Sequence, residues 1–237
     1  MDSSKNHGAD TAIVLTGGRG TRLGAATERV PKPLLPVAGR PFLFHVLDHL
    51  VAQGVRRVVF ATGYLSEQFP PLFGTQYRGM AIVHSPETEP LGTGGAVRQA
   101  FARIDARAAF VLNGDTYFPT DLAALDALGG PGIALALTLR PVPDTARYGC
   151  VTLDGDRVTA LVEKGRTGPG LINGGVYRLD RAAFDADAPS GPFSLERELF
   201  PRWVAERRVR GLASDAYFID IGVPEDLARA QTDLAHR

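Results

Sequence analysis

Three cations and three glycines crowd one short stretch of the chain. Gly17, Gly18 and Gly20 are interleaved with Arg19 and Arg22, and Lys32 follows between Pro31 and Pro33. Glycine removes the Cβ that keeps a ligand away from the backbone amides, and bare amides beside fixed positive charge hold phosphates. A plain surface turn would account for the glycines, but it has no need of two arginines and a proline-flanked lysine. The spacing fits neither of two common phosphate loops. No Gly-x-x-x-x-Gly-Lys-Ser/Thr run follows, and Leu23 stands where a dinucleotide fingerprint needs its last glycine.

Two carboxylates can complete a phosphate site. Asp115, in Asn113-Gly114-Asp115, and Asp220, in Tyr217-Phe218-Ile219-Asp220-Ile221-Gly222, both follow or interrupt apolar runs. A carboxylate among apolar neighbours is costly unless something cationic meets it, and Mg²⁺ is held by one or two carboxylates plus substrate phosphates. Each aspartate has a simpler reading, a turn or helix cap for Asp115 and a structural ion pair for Asp220. Beside the glycine loop, shared ligation of Mg²⁺ explains both at once.

Two further groups of residues suit recognition. Glu89-Pro90-Leu91-Gly92-Thr93-Gly94-Gly95 offers amides to a base or ribose, with Glu87 or Glu89 to accept from an exocyclic amine. A tight strand-to-helix connection needs the same glycines. Glu163-Lys164, Asn173-Gly174 and Arg147-Tyr148-Gly149 suggest a polar pocket for a polyhydroxyl ligand and its phosphate, although Glu-Lys pairs also occur on solvated hairpin edges. His45 and His49 share a helix face without a third ligand, and Cys150 has no histidine companion, so neither supports metal or thiol chemistry.

The elements that must position these residues alternate. Strands are expected at Thr11–Leu15, 55–61, 80–84 and 109–112, with helices at 41–51 and 95–104 and a short helix from Ser66 that stops at Pro70-Pro71. That rhythm predicts a right-handed parallel βαβ sheet with ligands at the carboxyl ends of its strands. Later come a strand over 133–139, a hairpin over 151–159, strands over 171–179 and Val209–Ala213, helices over 181–186 and 194–199, and a closing helix over 224–236. The expected object is a single α/β domain over residues 11–237 with a mixed, mainly parallel central sheet flanked by helices. Its N-terminal half would hold a nucleotide and its C-terminal half a second substrate. Residues 1–10 are polar and read as a disordered lead-in.

Composition narrows the class. The 237 residues are 44% hydrophobic and 22% charged, and 26 basic residues balance 26 acidic ones. Nothing favours nucleic acid or an anionic membrane, and no apolar run reaches membrane-spanning length. One cysteine excludes an internal disulfide and fits the cytoplasm. A homo-oligomer is compatible with the sequence.

Taken in order, the motifs resemble the sugar-phosphate nucleotidyltransferase family. Its Gly-Gly-x-Gly-Thr-Arg-Leu…Pro-Lys-Pro signature matches Gly17 to Leu23 and Pro31 to Pro33, its metal aspartates match Asp115 and Asp220, and its Glu-Lys pair matches Glu163-Lys164. Within the family, Glu89 to Ala96, Leu112 to Thr116, Leu171 to Gly175 and Tyr217 to Asp226 are most similar to members that use GTP and D-glycero-α-D-manno-heptose 1-phosphate. Relatives acting with UTP, or on N-acetylmuramate, N-acetylglucosamine or mannose phosphates, share several of these runs.

The resemblance implies a Rossmann-like nucleotidyltransferase fold and the reaction of an NTP with a sugar 1-phosphate to give an NDP-sugar and pyrophosphate. It implies Arg22, Lys32 and Asp115 as catalytic and Asp115 with Asp220 as Mg²⁺ ligands. Leu15, Gly17, Gly18, Arg19, Gly20, Thr21, Arg22, Lys32, Glu87, Gly92, Thr93, Asn113 and Gly114 would face the nucleotide. Tyr148, Gly149, Glu163, Lys164, Asn173 and Gly174 would face the sugar phosphate. No further C-terminal domain is expected after Asp220. A silent sugar-nucleotide sensor would have no need to keep this charged set, and a glycosyltransferase would show an Asp-x-Asp.

Overall fold

The structure is a computed structural model that describes residues 9–147, 149–162 and 167–235. Among the described residues ten strands form one mixed sheet, and the burial of β1 (Thr11–Leu15) shows how it is built. Ala12 and Val14 point into one hydrophobic layer while Ile13 points into the other. The strand is therefore apolar throughout, as a strand covered on both faces must be. β4 (Arg57–Thr62) and β7 (Ala108–Asn113) alternate in the same way and flank β1 as parallel neighbours. β6 (Met80–Pro86) pairs parallel with β4, and β5 (Gln76–Tyr77) closes that edge antiparallel.

Beyond β7 the character changes. β12 (Gly170–Asp180) runs antiparallel to β7 and to β9 (Leu135–Val142). β13 (Val209–Ala213) pairs parallel with β9, and the hairpin of β10 (Cys150–Asp154) and β11 (Arg157–Val162) completes this half. The hairpin turns through Gly155 at φ 61°. Helices α1 (Phe42–Ala52), α2 (Phe69–Phe73), α4 (Leu122–Ala127) and α7 (Pro224–Asp233) lie on one side of the sheet. Helices α3 (Gly92–Phe101), α5 (Arg181–Asp187) and α6 (Phe200–Ala205) lie on the other. No helix among the described residues is long and apolar enough to cross a membrane.

Three expectations shift on contact with the structure. Pro70 and Pro71 do not end a helix; they occupy the first turn of α2, where their missing amides sacrifice no hydrogen bond. Phe69 and Phe73 are thereby set against Phe60, with ring centroids 5.9 and 4.9 Å apart. Helix α3 starts at Gly92 rather than Gly95, because the Phe193 carbonyl accepts from the Gly94 amide at 2.9 Å and fixes the first turn. The segment at 194–199 is a π-helical turn, Leu195–Leu199, running directly into α6. Of the lead-in, Ala9 and Asp10 are described: the Ala9 amide donates to Asp126 at 3.1 Å and the Asp10 carbonyl accepts from Arg56 at 2.8 Å.

Gly92 has a left-handed φ of 70°, and a Cβ there would overlap the Phe193 carbonyl oxygen. Gly92→Ala should therefore lose about 2–4 kcal/mol of unfolding free energy, the sum of backbone strain and overpacking. Denaturant titration checks this, and an unshifted midpoint would refute it.

Candidate functional site

β1 is the topological switch point. The chain passes from β1 outward to β4 and β6, then returns to place β7 on the opposite side of β1. A crevice opens where the strand order reverses, outside the carboxyl ends of β1 and β7. The loops leaving these two strands are the glycine loop and Asn113-Gly114-Asp115.

The loops are held by close backbone contacts. The Gly114 amide donates to the Leu15 carbonyl at 2.9 Å, and a Cβ on Gly114 would lie 2.8 Å from that oxygen. The Thr16 amide and hydroxyl both donate to Ala61, at 2.9 and 3.0 Å. Gly20, at φ 63°, opens the 3₁₀ turn Thr21–Thr27, and the Thr27 hydroxyl donates back to its carbonyl at 3.0 Å. The result is a cleft of about 250 Å³ lined by Leu15, Thr16, Gly18, Gly20, Thr21, Arg22, Lys32, Pro33 and Asp115. Arg19 lies outside that lining and places its guanidinium 5.8 Å from the Tyr64 ring centroid.

Asp115 and Asp220 come together through a two-residue ladder. β8 (Thr116–Tyr117) pairs antiparallel with β14 (Ile219–Asp220), matching Thr116 with Asp220, and the Ile221 amide donates to the Asp115 carbonyl at 3.0 Å. Lys32 is 7% exposed on a 3₁₀ turn between two prolines, and its ammonium pairs with Asp115 Oδ2. Asp220 Oδ1 accepts from the Gly222 amide at 2.8 Å. Burial pushes the Asp220 carboxyl above the usual range, and the Asp115 charge adds to this; Lys32, the Gly222 amide and Arg22 offset it in part. Two carboxylates brought together beside one buried lysine form an oxygen donor pair of the kind that suits a divalent cation. Among the described residues no third acidic, histidine or cysteine ligand joins them, so a cation there would complete its shell with substrate or solvent oxygens.

The sign of this effect is testable. With its folded pKa raised, Asp220 binds its proton more tightly folded than unfolded, so its contribution to stability declines as pH rises above the ordinary carboxylate range. In chelator at pH 7–8, Asp220→Asn should melt a few degrees above the parent protein, and the gap should close as the pH falls to that of free aspartic acid, about 3.9. A variant that melts lower at pH 8 would contradict this.

A second, larger cavity of about 790 Å³ adjoins the first. Arg22 lines both, and Asp220 lines the larger, as do Gly149 and Asn173 from the expected sugar-phosphate set. Asn173 opens a bulge in β12, where the stretch to Tyr177 spans only Leu139 to Leu137 on β9. Its carboxamide accepts from the Gly175 amide and donates to the Tyr177 hydroxyl, both at 2.9 Å. Burial, then the Glu196 charge, hold that phenol well above its usual range. Gly174 does not face the cavity; a Cβ on it would strike the Phe118 ring. Tyr148, Glu163 and Lys164 lie outside the described residues.

The second glycine turn divides its labour. Glu87 lies beside Gly17, its carboxylate 3.5 Å from where a Gly17 Cβ would be, and it accepts from the Leu91 amide at 3.0 Å. Burial pushes its carboxyl up. Gly92 and Gly94 are bare for Phe193, and the Thr93 hydroxyl is engaged with Glu196 and the Leu195 amide. The sequence reading missed Glu196, Arg197 and Asp226, all of which line the larger cavity. Glu196 and Arg197 fall in none of the motifs read from the sequence, while Asp226 closes one of the resembling runs and stands in the first turn of α7 without a role assigned to it.

Such a fold, with an anion cleft at the switch point, paired carboxylates and an adjoining polar cavity, defines an α/β enzyme that handles phosphorylated substrates. The chain belongs to the nucleotidyl transferase family, whose profile matches residues 11–237. It is 40% identical to D-glycero-alpha-D-manno-heptose 1-phosphate guanylyltransferase of Aneurinibacillus thermoaerophilus, over 95% of this chain and 98% of that one. It is 41% identical to the protein of the same name from Campylobacter jejuni, over 91% and 96%. The solved structure of HddC from Yersinia pseudotuberculosis complexed with GMP-PN superposes with a TM-score of 0.82 at 33% identity, covering 94% of this chain and 99% of that one.

Proposed function

We propose that this protein transfers a guanylyl group from GTP to D-glycero-α-D-manno-heptose 1-phosphate, releasing pyrophosphate and GDP-heptose for surface polysaccharide or glycoprotein synthesis. The observation that carries this reading is the junction of the two cavities at Arg22 and the aspartate pair. One cavity suits a triphosphate, the other a sugar, and the charges needed where the two substrates meet stand between them. The choice of guanine and heptose is supported by the relatives and by the HddC complex.

In this reading the N-terminal half of a single domain binds the nucleotide and the C-terminal half the sugar phosphate. A phosphate oxygen of the sugar attacks the α-phosphorus in line; the new P–O bond forms as the bond to the departing pyrophosphate breaks. The nucleophile is already an anion, so no general base is required, and the chain's work is positioning and charge neutralisation. The amides from Gly17 to Thr21 and Arg22 hold the triphosphate. Lys32 stabilises charge on the α-phosphoryl group, and Lys164 is assigned to the sugar phosphate. Asp115 and Asp220 would hold Mg²⁺, which when bound neutralises charge between the two anions. Leu15, Gly17 and Glu87 face the base. The reaction is placed in the cytoplasm.

The test is a matrix of four NTPs against heptose, mannose, N-acetylglucosamine and N-acetylmuramate 1-phosphates with pyrophosphate detection. GTP with the heptose phosphate should give the highest kcat/KM. A different optimal pair would move the substrate assignment, and the absence of release from every pair would remove the reaction.

A further inference from the structure

We infer that Glu196 reads the hydroxyl pattern of the sugar 1-phosphate and that Thr93 positions it for that task. This rests on the guanylyl-transfer reading above and extends it to a residue outside the motifs named from the sequence. Among the described residues three acidic side chains line the larger cavity: Asp220, Glu196 and Asp226. Asp220 stands with Asp115 at the cation site. Asp226 is committed to two arginines, Arg147 at 3.4 Å and Arg229 at 3.1 Å. The Asn173 carboxamide is tied to the Gly175 amide and the Tyr177 hydroxyl.

Glu196 differs from all of these. Its Oε2 accepts from the Thr93 hydroxyl at 2.7 Å and the Ser194 hydroxyl at 3.0 Å. No hydrogen bond from the described residues reaches Oε1. The carboxylate is thus clamped by one oxygen, and the residue lines the cavity with its other oxygen unengaged by any described residue. An anionic acceptor held in one orientation is what a sugar hydroxyl needs for a charge-assisted hydrogen bond. It also discriminates, because a substrate without that hydroxyl leaves a partly buried acceptor unpaired.

The clamp is built from two distant parts of the chain. Thr93 lies in the first turn of α3, where Gly92 and Gly94 give up their side chains so that Phe193 can lie against the helix. The Gly94 amide donates to the Phe193 carbonyl at 2.9 Å, the Phe193 amide donates to Leu91 at 3.0 Å, and the Leu195 amide donates to the Thr93 hydroxyl at 2.9 Å. These bonds fix Glu196 relative to the helix that follows the Glu87 turn. The glycines that resemble a base-reading loop therefore serve to seat a sugar-side carboxylate.

The experiment uses steady-state kinetics of the full chain with GTP and either D-glycero-α-D-manno-heptose 1-phosphate or α-D-mannose 1-phosphate. Glu196→Gln keeps an oxygen for Thr93 and Ser194 and puts an amide N–H donor in place of the second carboxylate oxygen. The KM for sugar 1-phosphate should rise roughly tenfold or more while the KM for GTP stays within about twofold. Thr93→Val should move the sugar KM in the same direction by less, again sparing GTP. With mono-deoxy mannose 1-phosphates, one position should cost the parent enzyme affinity and cost Glu196→Gln nothing further. Partial misfolding would lower kcat without moving the sugar KM. An unchanged sugar KM in Glu196→Gln, or a rise in the GTP KM with Thr93→Val, overturns the inference while the reaction stands. A parent enzyme that releases no pyrophosphate overturns both.

Discussion

Asp115→Asn should retain its fold and release pyrophosphate about 10²–10³ times more slowly than the parent enzyme, the range seen when a preorganised charge contact in a transition state is removed. Three structural facts converge on that number. Gly114 pins the turn to the end of β1, the β8–β14 ladder brings Asp220 alongside, and Lys32 meets the carboxylate directly. Asparagine keeps the shape and the contact from Thr116 but supplies no charge to a cation and none to Lys32. Coupled pyrophosphate detection, with circular dichroism to verify the fold, checks it. Turnover within tenfold of the parent would remove Asp115 from the catalytic set.

Lys32→Ala should cut kcat by a comparable ~10²–10³ with a far smaller effect on the KM for GTP. Its ammonium is buried, reaches the cleft from a turn stiffened by two prolines, and faces Asp115. The variant also carries a stability signature. Removing one partner of a buried pair leaves the other uncompensated, which costs up to about 3–5 kcal/mol; Asp115 keeps 27% of its side chain exposed, so about 2–3 kcal/mol is expected. Asp220 would lose a charge that now lowers its pKa, so the deficit should grow as pH rises through the raised value. A divalent cation should restore much of the lost melting temperature. A rise in KM alone, with kcat intact, would make Lys32 a binding residue only.

Much of this site was legible in the sequence because its residues are constrained locally. The glycine loop follows an apolar strand, and Asn113-Gly114-Asp115 follows another; a strand buried on both faces admits few polar residues, so its end is easy to find. The aspartate pair was recognisable by type but not by distance, since the ladder between β8 and β14 is only two residues long and leaves no periodic pattern. The 92–95 glycines were misleading for a physical reason. Glycine is needed both where a ligand approaches the backbone and where another part of the chain does, and here Phe193 is the visitor. Pro70-Pro71 misled similarly, since proline that ends one helix is tolerated at the start of another. Glu196 was invisible because its significance comes from Thr93, far away in the sequence.

The ladder between β8 and β14 has a consequence for the life of the chain. The phosphate loop is made early in synthesis, but the second carboxylate arrives only much later with Asp220 and is seated by pairing back onto Thr116. A nascent or truncated chain that stops short of Ile219 lacks the strand that pairs with β8, so under the proposed function it would form the phosphate cleft without the second carboxylate.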